Sequence, residues 1–520
     1  RLRTSWKIKG TTGYEFIAAI SGLYVDASQK EAMTRAYAQF IGEEQDLQEM
    51  ITDQKRTIFS HNLAGELAVL TDEAVGVAAR GLDTRDLGRD AIARSIVEVA
   101  VALPVYRTYA GIDGVPEEDV KIIDDAVKLA QSRRAVEADE PLEFIGRLLK
   151  LHFEDSRDVT GALNFSKRFQ QTTGAVMAKA VEDTVFYRYN RLIALNEVGC
   201  EPDHYGSEIV DFHKAMEIRT VDQPEGLLAT STHDTKRGED ARARLYSLSE
   251  APETWAEIVS RAANALGKYR TPIKGGLSLP DPVTEWAFYQ SLLGVLPADF
   301  EPADDAARAV IARRLTAFME KAVREAKSPS SWTAPAGLYE RALKGFVETA
   351  MQKEKSGSFL EDFWWSSQPF VVAGALNSLS QTLIKLTAPG VPDIYQGTEF
   401  YDFSLVDPDN RRAVDFEARE IAITDDLDVH EALDHWRDGR VKARLTAAAL
   451  KARMAAPELF TVGDYVPLEV VGEKANHVVA FARTDVRGRA ALVVAPRLAL
   501  KVLGGRTGLS IPAAVWGRTS

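Results

Sequence analysis

The sequence predicts an α/β chain in which long helical stretches separate a few short buried strands, closed by a small C-terminal antiparallel β domain. Three observations carry this. Short apolar runs sit between glycines, prolines and polar turns: Gly174-Ala175-Val176-Met177-Ala178, Gly226-Leu227-Leu228-Ala229-Thr230, and Leu386 through Gly397. The first two pass into helical sequence, the grammar of βα units with buried parallel strands. Residues 28–160 and 236–375 are rich in Ala, Glu, Leu and Arg and poor in β-branched clusters, which favours helix. From about residue 460 the pattern alternates, with Val478, Val479, Phe481 and Ala491, Leu492, Val493, Val494 near Gly and Pro.

In chain order, Gly10-Thr11-Thr12-Gly13-Tyr14 is a turn-rich segment leading into an amphipathic helix carrying Phe16, Ile17 and Ile20. Within the helical stretch, Ile92, Ile96, Val99 and Leu103 are spaced by three and four, an apolar stripe that Pro104 ends. Pro116-Glu117-Glu118-Asp119 starts another helix, with acids in its first turn ahead of Val120, Ile123 and Val127. A further helix lies around 438–455.

The 520 residues suffice for a large core, and a net charge of −13 argues against a phosphate-backbone binder, so nucleic acid is not expected as a partner. Cys200 is the single cysteine, which excludes an intrachain disulfide and a four-thiolate zinc site and fits a reducing cytoplasm. No apolar run approaches the ~20 residues that span a bilayer; Val97 to Val105 is broken by Glu98 and Pro104. The start has neither an initiator Met nor a signal-peptide apolar region, and a cytoplasmic location is expected. His430 and His435 stand five apart and share no helix face, so no metal site is expected, and no dinucleotide or phosphate-loop fingerprint calls for a cofactor.

The densest chemistry is Thr232-His233-Asp234-Thr235-Lys236-Arg237, directly after the apolar run Leu227 to Ala229. Thr232 or Asp234 could serve only to cap the helix that begins near Lys236. Alternatively, a strand-end carboxylate beside an imidazole binds sugar hydroxyls and stabilises an oxocarbenium-like transition state. Lys179, Glu182 and Asp183 precede Phe186, Tyr187, Arg188 and Tyr189; aromatics at this spacing are core as a rule, yet beside charged groups they also suit pyranose stacking. Trp332 and Trp364-Trp365 share that ambiguity, with core favoured. Asp407 to Arg412 is turn-forming and reads as a solvated loop.

Taken together, Gly10 to Phe16, Pro104 to Tyr109, Met177 to Thr184, Thr232 to Arg237, and Gly390 to Glu399 followed by Asp402 to Arg412 resemble, in order and over essentially the whole chain, the maltooligosyltrehalose synthase family of the α-amylase superfamily. The resemblance implies part of a (β/α)8 TIM barrel, strands six to eight, with large helical insertions. Its segments would be 1–160, a loop and helical insertion after strand five; 161–240, strands six and seven; 241–375, a second insertion; 376–459, strand eight and closing helices; and 460–520, an incomplete β domain. It implies intramolecular transglycosylation of a maltooligosaccharide, turning the reducing-end α-1,4 linkage into α,α-1,1. Asp234 corresponds to the transition-state-stabilising carboxylate after strand seven and His233 to its sugar-binding neighbour. Lys179 to Asp183 resembles strand six and Gly390 to Glu399 strand eight. Lys179, Glu182, Arg237, Tyr395, Gln396 and Glu399 are the implied substrate contacts, and Tyr106 and Arg107 lie in the insertion that closes the reducing-end pocket.

The departures set further expectations. The family's Arg-x-Asp-His motif, which holds the nucleophile, does not occur here, and neither does the segment bearing the acid/base Glu. The chain is therefore expected to be a fragment, inactive alone and completed by a missing N-terminal half or a second chain. Gly238, Ala180 and Ala413 replace expected Ser, Gly and Pro. An α-amylase-type hydrolase and a non-catalytic glucan-binding subunit are the alternative readings.

Overall fold

The computed structural model describes residues 3, 6–424 and 428–520. Two compact units divide the chain: one is formed by Arg1–Glu44 with Asn190–Ser520, the other by Gln45–Tyr189. No helix among the described residues is long and apolar enough to cross a membrane.

The Gln45–Tyr189 unit is all helical. Its centre is the helix Arg89–Ala102, packed against Ala64–Ala78, Glu117–Ser132 and Glu140–Lys150. The stripe read from the sequence is the reason: Ile92, Ile96, Val99 and Leu103 are all buried, each such side chain contributing about 1.5–3 kcal/mol. Ile123 and Val127 are buried beside them, whereas Val120 is only half-buried. The buried Lys55 ammonium closes the central helix, donating to the Leu103 carbonyl at 2.8 Å. The strand expected at Gly174 to Ala178 is not formed. Those residues finish a 22-residue helix, Ser156–Met177, that continues as a π-helical turn over Ala178–Glu182. Ala and Met are good helix formers, and an apolar run of five is equally compatible with a buried helix end; the sixth-strand assignment of Lys179 to Asp183 falls with it.

The other unit carries the strands. β1 (Leu227–Leu228) pairs in parallel with a later strand, Val391–Pro392, and between them in sequence β2 (Thr271–Pro272) and β3 (Ser278–Leu279) form a small antiparallel pair. Numbering Val391–Pro392 as β4, the parallel pair matches two of the expected strands, although each is only two residues long. On the other side of β1 runs the Gly10 to Gly13 segment, whose Thr11 carbonyl accepts from Leu227 N at 3.2 Å. Backbones meet so closely that only glycine fits: a Cβ on Gly13, at φ 98°, would lie 2.6 Å from the Leu227 oxygen, and one on Gly390, at φ 135°, 2.7 Å from the Gly226 oxygen. Arg219 locks the three segments, donating to Leu227 O at 2.6 Å, Pro389 O at 3.0 Å and the Glu15 carboxylate at 2.5 Å.

Behind the strands stands the helix Gln368–Thr387, apolar on nearly every face because it touches the helices Glu239–Tyr246 and Arg440–Ala455 and the C-terminal sheet. That sheet is the antiparallel sheet expected after residue 460: β5 (Asp464–Pro467), β6 (Val478–Thr484) and β7 (Ala490–Pro496) in sequential order, with Phe481 opposite Val493. His213 ties β5 to the helix Ile209–Asp222 through a 2.7 Å hydrogen bond between its Nδ1 and the Tyr465 hydroxyl.

After the sheet, the backbone N–H groups of Leu500 and Lys501 donate to the buried Glu250 carboxylate at 3.1 and 3.0 Å. Burial pushes this carboxyl up to about 7, with those two N–H groups and Lys501 only partly opposing it. A carboxyl whose folded pKa lies above its unfolded value favours the fold while protonated, and that contribution is lost as pH rises from about 4.5 through 7. Glu250→Gln should therefore flatten the fall in melting temperature between pH 5 and 8, recovering at most about 3 kcal/mol at the alkaline end, since one pKa unit is about 1.4 kcal/mol. Parallel slopes for wild type and variant in thermal melts across that range would refute it.

Candidate active site

Where β1 ends, the chain makes a tight turn fixed by its own hydroxyls. Thr235 Oγ1 donates to Thr232 O at 2.9 Å and accepts from Thr232 N at 3.2 Å, and Asp234 N donates to Thr232 Oγ1 at 3.1 Å. Each threonine binds backbone, so the two side chains between them are free to face outward. His233 and Asp234 are both 62% exposed, with Nε2 3.2 Å from Asp234 Oδ2.

The turn is held on three sides. Tyr14, first residue of the helix Tyr14–Tyr24, places its hydroxyl 3.2 Å from Thr232 Oγ1. Asn410 Nδ2 donates to His233 O at 3.0 Å. Below, the buried Glu197 carboxylate accepts from Lys236 N at 2.8 Å and Arg237 N at 3.2 Å, and pairs with Arg242 at 3.2 Å. Arg237 itself belongs to this foundation. Only 5% exposed, it donates to Ile193 O at 3.0 Å and lies 5.8 Å over the Phe318 ring, which turns it away from the open face where a substrate contact was expected.

One layer deeper lies a cluster of buried charges. Lys442 Nζ is 2.7 Å from both Glu239 Oε1 and Asp240 Oδ2, and Lys385 Nζ is 3.1 Å from Glu239 Oε2 and 2.7 Å from Thr230 Oγ1 at the end of the strand. Burial would raise the Glu239 carboxyl, but Lys385 and Lys442 outweigh it and hold it below the usual carboxylate range. The same attraction outweighs burial at Lys442 and raises its ammonium above the usual lysine range. At Asp240, by contrast, burial outweighs the attraction of Lys442 and, with Glu239 alongside, raises the carboxyl, so the site rests on buried groups whose charges are set by one another.

Beside the turn opens a cavity of about 260 Å³ walled by Tyr395, Gln396, Asp402, Asp409, Asn410 and Arg412, among others. Its wall is rigid: Arg314 grips Asp409 with bonds of 2.9 and 2.8 Å, and Tyr395 donates to Asn410 O at 3.3 Å. Burial raises the Asp409 carboxyl, yet Arg314 more than compensates and keeps it low. Three buried polar atoms of wall residues, Tyr401 Oη, Ser404 Oγ and Asn410 Oδ1, have no hydrogen-bond partner. Such atoms cost about 1–3 kcal/mol each. Glu399 lies at the cavity's edge of the chain, 3.2 Å from Arg419, which is itself a wall residue. Gly238 also has its reason here: a Cβ would fall 2.5 Å from Asp402 O, so glycine lets the strand-end loop approach the cavity wall.

The remaining sequence candidates lie in the Gln45–Tyr189 unit and are described within it. Tyr106 hydrogen-bonds Glu182, Lys179 pairs with Asp183 at 2.7 Å, and Arg107 lies 4.8 Å over the Tyr109 ring. The unit thus brings Tyr106 and Glu182 together. Phe186 and Tyr189 are buried as core.

An exposed carboxylate and imidazole thus stand at the end of a parallel strand, beside a polar cavity. Solved structures similar to this chain include maltooligosyltrehalose synthases. The maltooligosyltrehalose synthase of Arthrobacter ramosus superposes with a TM-score of 0.79 at 32% identity, covering 100% of this chain and 60% of that one. A maltooligosyl trehalose synthase of Sulfolobus tokodaii gives 0.73 at 29%, covering 95% and 58%. Among curated proteins, maltooligosyl trehalose synthases of two Mycobacterium tuberculosis strains are 33% identical over 486 residues, which is 93% of this chain and 56% of theirs. The resemblance read from the five motifs thus extends along nearly the whole sequence, while the chain spans little more than half the length of these relatives. No protein-family model matches it.

Proposed function

We propose that this chain is the portion of a maltooligosyltrehalose synthase that supplies the transition-state-stabilising carboxylate and part of the glucan site, for intramolecular transglycosylation at the reducing end of a maltooligosaccharide. The observation that carries the reading is the outward-facing His233–Asp234 pair at the end of β1, set beside a cavity with three unpaired polar wall atoms. In a (β/α)8 barrel, β1 and β4 would be strands seven and eight, and the Gly10 to Thr12 backbone beside β1 would take the sixth position.

In this mechanism Asp234 faces the anomeric carbon and stabilises its developing positive charge, while His233 hydrogen-bonds a ring hydroxyl. Tyr395, Gln396 and the wall around Asp409 and Asn410 hold the glucan. Tyr106 and Arg107, which the family resemblance assigns to the reducing-end pocket, and Lys179 and Glu182, which it makes substrate contacts, belong to the Gln45–Tyr189 unit; at a reducing end, excluding bulk water favours attack by a glucose 1-hydroxyl over hydrolysis. A retaining displacement needs a nucleophile and an acid about 5 Å apart, and sequence beyond this chain supplies them.

The test is incubation with maltopentaose, first of this chain alone and then with a polypeptide matching the part of the relatives that it does not span. Loss of reducing ends only in the reconstituted mixture is the expected result. A rise in reducing ends would assign a hydrolase instead, and product from the chain alone would overturn the division of catalytic groups.

A further inference from the structure

Trp255, Trp286 and Trp364 are buried, but Trp332 is 54% exposed in spite of being pinned. The Arg324 guanidinium lies 5.0 Å from its ring centroid, and Arg324 is itself held by two 2.8 Å bonds to Glu340 and a 2.5 Å contact with Glu320. The loop around the ring is closed by Ser330, whose hydroxyl donates to Glu340 Oε1 at 2.6 Å, and by Ser331, whose Oγ accepts from Ala334 N at 3.0 Å. The braced Arg324 guanidinium against its ring restricts this exposed indole, so a ligand stacking on it would bear less of the ordering loss. An exposed aromatic plane is what the apolar C–H face of a pyranose stacks on.

The position of this plane follows from the helix Asp305–Ala326. Arg314, Lys321 and Arg324 are spaced by seven and three, so they share a face of that helix. Arg314 grips Asp409 of the cavity wall, Lys321 donates to Asp407 O at 2.6 Å, and Arg324 carries Trp332. Arg324, which carries the indole, thus stands about ten residues from Arg314 along the same helix, roughly 15 Å at 1.5 Å per residue. We propose that Trp332 is a stacking platform for a distal glucose unit of an extended maltooligosaccharide whose inner units occupy the cavity at Asp409 and Asn410. This rests on the glucan reading of that cavity and adds to it a preference for longer chains.

The test is calorimetric titration of the 520-residue chain, its Trp332→Ala variant and its Trp332→Phe variant with maltotriose and with maltoheptaose. Trp332→Ala should bind maltoheptaose about tenfold more weakly with maltotriose affinity unchanged, and Trp332→Phe should recover most of the loss, in keeping with the energy of one stacked aromatic contact. Equal maltoheptaose affinity in wild type and Trp332→Ala would overturn the platform and leave the glucan reading standing. Equal weakening for both sugars would also overturn it, because Trp332 would then act on the cavity or the fold. Failure of the wild-type chain to bind either sugar would overturn the glucan reading and the platform together.

Discussion

Lys442→Met should be among the most destabilising single substitutions in the chain, lowering stability by about 3–5 kcal/mol. The ammonium is fully buried between Glu239 and Asp240, at 2.7 Å from each, and a methionine fills its volume without its charge. Two buried carboxylates would then face one another with Lys385, at 3.1 Å from Glu239, as the remaining ammonium at Glu239. The pair would have to take up a proton to remain inside, so its folded pKa would rise above the unfolded value. Stability in the variant should accordingly improve on acidification and fall as pH rises, opposite to what a carboxylate held low by an ammonium gives. Adding Asp240→Asn to Lys442→Met should recover part of the loss by removing one of the stranded charges. Urea midpoints at pH 5 and pH 8 measure this directly; a midpoint within error of wild type at both would show that the cluster adds nothing.

The same cluster marks the limit of what could be read in the sequence. Glu239 and Asp240 look like ordinary acids in the first turn of a helix, and their partner Lys442 lies 203 and 202 positions away. No local pattern announces that pairing. Arg237 fails for the same reason: its place in the interior is decided by Ile193 O and by Phe318, neither of which is near it in sequence. Features set by short-range physics were legible. The stripe Ile92, Ile96, Val99, Leu103 is buried because a period of 3.6 fixes one face, and β1 and β4 form where Gly and Pro bracket apolar pairs. The alternation after residue 460 became the three-stranded sheet. Gly174 to Ala178 was ambiguous for a physical reason, since five apolar residues do not distinguish a buried strand from the end of a helix that began eighteen residues earlier at Ser156. At the site, the sequence left Thr232-His233-Asp234 open between a helix cap and a strand-end carboxylate facing a pocket; in the structure the threonine hydroxyls set the turn and leave His233 and Asp234 exposed. The Asp407 to Arg412 loop, read as solvated, proved instead to supply Asn410 to the turn and Asp409 to the cavity wall.

Asp234→Asn should abolish most of the activity of the reconstituted enzyme while leaving the fold intact. The expected loss in kcat is about 10²- to 10³-fold, the scale on which removing one preorganised electrostatic group from a transition state is felt. Structure and function separate cleanly at this position. The backbone N of Asp234, unchanged by the substitution, makes the 3.1 Å bond to Thr232 Oγ1 that fixes the turn, whereas the carboxylate is 62% exposed and lies 3.2 Å from His233 Nε2. A melting temperature within about 1 °C of wild type is therefore expected beside the collapse in rate, surface substitutions away from structural features lying within about 0.5 kcal/mol. Maltoheptaose affinity should change little, because an uncharged ground-state sugar does not draw on the negative charge that the oxocarbenium-like state needs. The contrast with His233→Ala sharpens this: if the imidazole binds a ring hydroxyl in ground and transition states alike, its loss should raise KM more than it lowers kcat. A variant Asp234→Asn that retained wild-type kcat would remove Asp234 from the chemistry and leave the turn as a helix-capping device alone.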